Sequence, residues 1–189
     1  MPSETRRGIA HAHPGVHLFG GVSNLELYPR NLADDFLFCG ARNVDAVFAP
    51  TEKVMYPEPL HTFVEPGIEA SGLCGEARSG HFKVVATIVL NLLNTVSPDR
   101  AYFGEKDAQQ LLLIRKLVTD LNLGIRVIGM ETVREADGLA FSSRNQLLSC
   151  TERLAAPILI QSLELARQEL QRGVTDAHVV LDRMRALLM

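Results

Sequence analysis

The stretch RAYFGEKDAQQLLLIRKLVTDLNLGIRVIGM, Arg100 to Met130, decides the fold class. Arg100-Ala-Tyr-Phe103 predicts a short strand, and Gly104 turns the chain into a helix from about Glu105 to Asn122. Leu111, Ile114, Leu117, Val118 and Leu121 recur on that helix at the spacing of one buried face. Ile125 to Met130 predicts the next strand. A strand that ends at a glycine and opens into a helix is the junction where open α/β sheets bind ligands. The first N–H groups of such a helix point at an anion.

Outward from this stretch, His81 to Val96 carries Val85, Ile88, Val89, Leu92 and Val96 at helical spacing, and Pro98 closes it. Further back, Asn31 caps a predicted helix through about Arg42, with Asp34 and Asp35 favoured by the dipole of its first turn. Val44 to Ala49 predicts a strand stopped by Pro50. Glycines and prolines between Met55 and Gly80 predict mostly loop, with a short extended piece at Thr62–Glu65. Beyond Asn145, Ser149 and Glu152 form the S-x-x-E capping box of a long helix to about Arg172, kinked near Pro157. Gly173 and Thr175 separate it from a last helix reaching Met189. Helices alternating with short apolar strands make an α/β protein with a largely parallel sheet. The organisation expected is an irregular segment at 1–24, an α/β domain at 25–148, and a helical region at 149–189, with the boundary where strands cease.

With 189 residues, the chain is long enough for one good core. A net charge of −3, with bases scattered among acids, gives no electrostatic footprint for nucleic acid. The longest apolar run, Val84 to Leu93, is interrupted by Asn91 and too short to span a membrane. The first fifteen residues lack the apolar core of a secretory signal. Cys39, Cys74 and Cys150 are widely spaced with no CxxC pair, as for reduced thiols in a cytoplasmic protein. His11, His13 and His17 cluster in a Gly- and Pro-punctuated segment that reads either as a tail or as a metal-binding tract.

Four groups of residues have chemical potential. In Tyr102-Phe-Gly-Glu-Lys-Asp-Ala-Gln-Gln110, Gly104 admits close backbone approach, Lys106 offers a point charge for phosphate, and Asp107 can orient a hydroxyl or the lysine. Gln110 lies about one helical turn beyond Lys106. The same residues read equally well as a solvated first turn. Ser142, Ser143 and Arg144 place two hydroxyls and a guanidinium in a row, a set suited to polyphosphate and also to a polar turn at a sheet edge. Asp34 and Asp35 suit Mg²⁺ held through water, or a favourable helix-start charge alone. Arg78-Ser-Gly-His-Phe82 puts a cation and an imidazole at a helix entry, where a structural histidine is the ordinary reading.

Together these segments resemble pantothenate synthetase (pantoate–β-alanine ligase), of the nucleotidylyltransferase group. The resemblance runs from Phe19 to about Arg172. It rests on FGEKDxQQL at Phe103–Leu111 and VREADGLAxSSRN at Val133–Asn145, with Tyr28-Pro-Arg30, Met55-Tyr-Pro57 and Arg78-Ser-Gly-His-Phe82 in the family's order. It implies a Rossmann-like domain that activates pantoate as an adenylate with Mg·ATP and passes the acyl group to β-alanine. Residue by residue, Gly104, Glu105, Lys106 and Asp107 would line the ATP site, and Gln110 would bind pantoate. Val133 would contact adenine or ribose by its backbone, and Phe141, Ser142, Ser143 and Arg144 would form the phosphate-binding loop. Lys106, Ser142, Ser143 and Arg144 would carry the catalytic charge stabilisation. Asp34 and Asp35 would lie near the metal, and Arg78 in the gate over the pocket. The resemblance further implies a homodimer and a cytoplasmic location.

The chain also departs from the family. His11-Ala-His13-Pro is not the family's HxGH, and no strand is predicted before it. Gly15 and Leu18 fall where an asparagine and a glutamine belong, Val84 where a glycine belongs, Asn91 where a lysine belongs, and Phe38 at a third metal-helix position. The sequence expectation is therefore a chain incomplete at its N-terminus and within its C-terminal lid domain, of low stability without a partner. Two alternatives stand beside an active ligase: a catalytically inactive ATP-binding module, and a fragment completed by an N-terminal partner.

Overall fold

The computed structural model describes residues 9–11, 32–56 and 60–189. Tyr28-Pro-Arg30, Asn31, His13, Gly15, His17, Leu18 and Pro57 lie outside them. The chain divides into two compact units, residues 1–129 and 130–189.

In the first unit, β1 (Ile9–His11) pairs in parallel with β2 (Ala46–Phe48), Ile9 opposite Ala46 and His11 opposite Phe48. This corrects the expectation that no strand precedes the His11-Ala-His13 segment. Between these strands lies α1 (Leu32–Gly40), and α2 (Glu52–Met55) follows β2. The segment 61–67 forms no strand. Val64 donates its backbone N–H to Thr87 Oγ1 at 2.9 Å instead of to a neighbouring strand, and Pro66 has no N–H to give. The loop expected up to Gly80 contains a 3-10 turn at Ile68–Ala70 and a one-turn helix, α3 (Leu73–Ala77). Gly75 is required there, because a Cβ at that position would fall 1.7 Å from the Ala70 carbonyl oxygen.

The central element is α4 (His81–Val96), ended by Ser97 in the left-handed conformation with its N–H on Leu93 O. Its two faces serve two clusters. Phe82 and Ala86 pack with Leu113 and Ile114 of α5 (Ala108–Asp120), joined by Val64, Phe103 and Val127. Ile88 packs with Met55 and Tyr56, joined by Phe48, Leu60, Val84 and Leu92. One helix thus buries its apolar residues against both strand pairs. Strand β3 (Arg100–Gly104) pairs with β4 (Arg126–Met130), with α5 between them in sequence. Leu111, Leu113, Ile114, Leu117 and Val118 are buried on α5. Leu121, expected among them, is the exposed C-cap, and Leu113 takes part in the core. The helix ends before its apolar pattern does, so Leu121 falls outside the buried arc.

In the second unit, residues 131–149 form a hairpin and a 3-10 turn. α6 (Cys150–Ala155) follows, then α7 (Ile158–Gln171) and α8 (Ala177–Leu188). The capping box is present: Ser149 Oγ accepts the Glu152 N–H while Glu152 Oε2 accepts the Ser149 N–H. Pro157 divides the expected long helix into α6 and α7 instead of only kinking it, since its nitrogen cannot donate to a preceding carbonyl. Helices α7 and α8 are locked by Glu169, buried to 5% side-chain exposure, which pairs with Arg172 at 3.0 Å and with Arg183. Among the described residues no helix is long and apolar enough to cross a membrane.

Candidate functional site

In the first unit the candidates Gly104, Glu105, Lys106, Asp107 and Gln110 sit where β3 meets α5. The strand alternates, with Ala101 and Phe103 half-buried and Tyr102 exposed. Phe103 anchors against the core, so the chain leaves the sheet at an extended Gly104 and enters a 3-10 turn, Glu105–Asp107. Asp107 occupies the N-cap of α5 without a side-chain cap bond, so this helix start is not closed by its own carboxylate. Lys106 is exposed in the 3-10 turn, and Gln110 is half-buried on α5. Glu105 and Arg115 both come close to β4 at Gly129. A Cβ there would lie 2.9 Å from Glu105 Oε1 and 3.0 Å from an Arg115 guanidinium nitrogen. The lack of a side chain at Gly129 is what leaves room for both.

Arg78 is the exposed C-cap of α3, its N–H donated to Cys74 O at 3.0 Å. Asp34 and Asp35 stand exposed in the first turn of α1. Phe38, on the same helix, lies beneath the Arg42 guanidinium at 3.4 Å. Asn91 donates to Met55 O at 3.1 Å, and Val84 packs with the Met55 cluster, so both departures from the family pattern have structural partners.

In the second unit the motif Val133–Asn145 folds on itself. Arg134 and Ala140 form an antiparallel bridge, Phe141 N–H donates to Val133 O at 2.8 Å, and Glu135 N–H donates to Leu139 O at 2.8 Å. Val133 and Phe141 are thereby adjacent, and both are exposed. Ser142 Oγ accepts the Arg144 N–H at 3.3 Å, which begins the 3-10 turn Ser143–Leu147. Ser142 and Ser143 are half-buried and Arg144 is exposed.

The acids and the asparagine of this motif build the frame. Asn145 Nδ2 donates to Glu135 Oε1 at 2.6 Å and to Ala140 O at 3.1 Å. From α6, Arg153 reaches Glu135 Oε2 at 2.6 Å and Asp137 Oδ2 at 2.5 Å. The hydrogen bond from Arg153, helped by the Leu139 N–H, holds the Asp137 carboxyl below the ordinary carboxylate range. In the same way the Ser149 side chain, then its backbone N–H, lowers Glu152.

The sequence reading missed Arg153 and Gln109. Arg153 carries no signal of its own, since it follows a capping box as an ordinary helical arginine. Glu135 and Asp137, two carboxylates flanking one turn, do signal a need for a cation. Gln109 went unread beside Gln110, yet its carboxamide binds four backbone groups between Glu69 and Cys74.

Solved structures resemble this arrangement closely. Pantothenate synthetase from Thermus thermophilus superposes with a TM-score of 0.90 at 40% identity, over 95% of this chain and 65% of its own. A pantoate-beta-alanine ligase from Francisella tularensis, complexed with beta-gamma ATP and beta-alanine, gives 0.79 at 31% identity, over 98% of this chain and 69% of its own. The protein is thus an α/β protein of the nucleotidylyltransferase fold. The profile of the pantoate-beta-alanine ligase family matches residues 16–188. The pantothenate synthetase of Ruminiclostridium cellulolyticum is 45% identical over 170 residues, 90% of this chain and 60% of that protein. The chain belongs to the pantoate-beta-alanine ligase family, and it spans about 60% of the length of that curated relative.

Proposed function

We propose that this chain carries the nucleotide- and pantoate-handling part of an ATP-dependent ligase that joins pantoate to β-alanine. The observation that carries the reading is the β3–α5 turn. A glycine, an exposed lysine and a helix start uncapped by its own side chain occur together at the end of a strand. Family membership and the ATP and β-alanine in the Francisella complex support the choice of substrates.

In the reaction proposed, a pantoate carboxylate oxygen attacks the α-phosphorus of ATP. A C–O–P linkage forms, the bond to the β-phosphate breaks, and pyrophosphate leaves. The unprotonated amine of β-alanine then attacks the acyl carbon. A C–N bond forms, the bond to AMP breaks, and the nitrogen loses a proton. The first step brings an anion toward a polyanion, so fixed positive charge lowers its barrier. In the first unit Lys106 supplies such charge and the N–H groups around Gly104, Glu105 and Asp107 supply hydrogen bonds; in the second, Arg144 and the hydroxyls of Ser142 and Ser143 do the same. Val133 contacts adenine or ribose through its backbone, Phe141 belongs to the phosphate-binding loop, Gln110 binds pantoate, and Arg78 contacts it from the gate over the pocket. The second step needs mainly proximity of the amine to a reactive acyl group.

The adjacent carboxylates Asp34 and Asp35 fit a Mg²⁺ held chiefly by nucleotide phosphates and water. Bound there, the ion would neutralise phosphate charge. In this reading the domain at 25–148 binds substrates, the helices from 149 begin the lid, and the enzyme works in the cytoplasm as a homodimer.

The test is pantoate-dependent exchange of labelled pyrophosphate into ATP. Exchange by the purified chain supports adenylation, and its absence in a folded sample rejects it. A second reading rests on the His11-Ala-His13-Pro segment, which lacks the order HxGH. On that reading the chain binds ATP without turnover, or acts only with an added N-terminal fragment.

A further inference from the structure

Gln109 is the second residue of α5, three places after Lys106, and its side chain leaves the helix to grip a separate segment. Its Oε1 accepts the Cys74 N–H at 3.0 Å. Its Nε2 faces the carbonyls of Glu69 at 3.2 Å, Ser71 at 3.3 Å and Gly72 at 3.2 Å. An amide nitrogen has two hydrogens, so three acceptors share them. The orientation follows from chemistry, since a flipped amide would set its oxygen against three carbonyl oxygens.

The segment's own bonds close only single turns, as where the Gly75 and Glu76 N–H groups both donate to Gly72 O. Leu73 sits at φ 45° after Gly72 at φ 71°, and α3 has only five residues, far below what an isolated helix needs. Cys74 carries the connection onward, because its N–H is bound by Gln109 while its carbonyl accepts the Arg78 N–H at 3.0 Å. One path from the Lys106 turn to Arg78 therefore runs through one carboxamide and one helical turn, while the Arg78 carbonyl also accepts the His81 N–H at 3.1 Å at the start of α4.

We propose that Gln109 is a positioning residue that fixes Arg78 relative to the Glu105–Asp107 turn without itself touching ligand. The functional half of this statement rests on the ligase reading, in which Arg78 contacts pantoate and Lys106 contacts ATP. Removing the carboxamide leaves Arg78 held only from the α4 side and leaves the α5 start in place, so pantoate binding weakens while ATP binding holds.

The experiment compares the full chain with Gln109→Ala and Gln109→Glu. The carboxylate of the second variant keeps the acceptor and loses both donors. Hydrogen exchange at Cys74, with the Leu113 and Ile114 amides as fold controls, is measured beside calorimetric titration with pantoate and with Mg·ATP. The expected result is faster Cys74 exchange in Gln109→Ala with unchanged controls, a pantoate Kd raised about tenfold in both variants, and an ATP Kd changed less than about twofold. Unchanged Cys74 exchange, or unchanged pantoate affinity in a wild type that binds it, overturns the role and leaves the ligase reading intact. A wild type that binds neither ligand, with Cys74 exchange still dependent on Gln109, rejects the ligase reading and retains the Gln109 staple. If the variants melt early and lose the control protection, Gln109→Asn, which keeps the carboxamide and shortens its reach by one methylene, replaces them. The role is then overturned if pantoate affinity is untouched.

Discussion

Asn145 donates its side-chain amide to Glu135 Oε1 at 2.6 Å, tying the end of the Ser142–Arg144 turn back to the start of the hairpin that precedes it. Ser142, Ser143 and Arg144 are therefore shaped from within the motif. Asn145→Asp replaces the donor with a carboxylate facing Glu135 and the Ala140 carbonyl. The expected loss is about 1–3 kcal/mol, read from a denaturant melt, with faster exchange of the Phe141 amide. An unchanged melt together with unchanged exchange would refute the framing role.

Arg153 makes the stability of the second unit depend on acid. Its hydrogen bond lowers the Asp137 pKa, and Ser149 lowers that of Glu152. A carboxyl whose pKa is depressed by folding stabilises the native state above its unfolded value. That contribution fades as pH falls from the ordinary carboxylate range through the lowered folded value. Denaturant melts from neutral pH down into the acid range should thus show a decline that Arg153→Ala makes shallower. A variant with the wild-type pH slope would show that Arg153 is not the cause.

Lys106 tests the phosphate assignment. It is exposed in its 3-10 turn, so Lys106→Ala should leave stability within about 0.5 kcal/mol of wild type. Loss of a charged hydrogen-bond donor to phosphate should weaken Mg·ATP about tenfold to a hundredfold. An ATP Kd equal to the wild-type value by calorimetry would remove Lys106 from the site.

Gly75→Ala tests the segment that Gln109 grips. The added methyl would meet the Ala70 backbone oxygen at 1.7 Å, a contact that no side-chain rotation relieves. The expected cost is about 3 kcal/mol or more, with α3 displaced. A melt within about 1 kcal/mol of wild type would mean that the segment 70–75 rearranges freely.

Several features were legible in sequence because they are local. α4 runs from His81 to Val96 as its apolar spacing and Pro98 predict. The Ser149–Glu152 box is present because both partners lie within one turn. Gly104 ends β3 and opens the helical turn as its position implies. The misreadings have local causes as well. Leu121 continues the apolar period of α5 past the residue where the helix stops, and Pro157 breaks a helix that its neighbours would have continued. The α3 turn is hidden among glycines, because it is held from a distance instead of by its own propensity.

By itself the sequence determined the alternation of strands and helices, the glycine-to-helix turn at Gly104–Asp107, and, through two long motifs, the family. Periodicity, caps and turn residues act over three or four positions, and such signals survive in a linear string. Only the tertiary structure decided that β1 at Ile9–His11 pairs with β2, that α4 serves two cores, and that Arg153 serves Glu135 and Asp137. It alone showed that Gln109 answers the carbonyls of Glu69, Ser71 and Gly72. The bonded partners of Arg153 and Gln109 lie 16 to 40 positions away, and a hydrogen bond or ion pair forms where two groups arrive within about 3 Å, whatever the chain length between them.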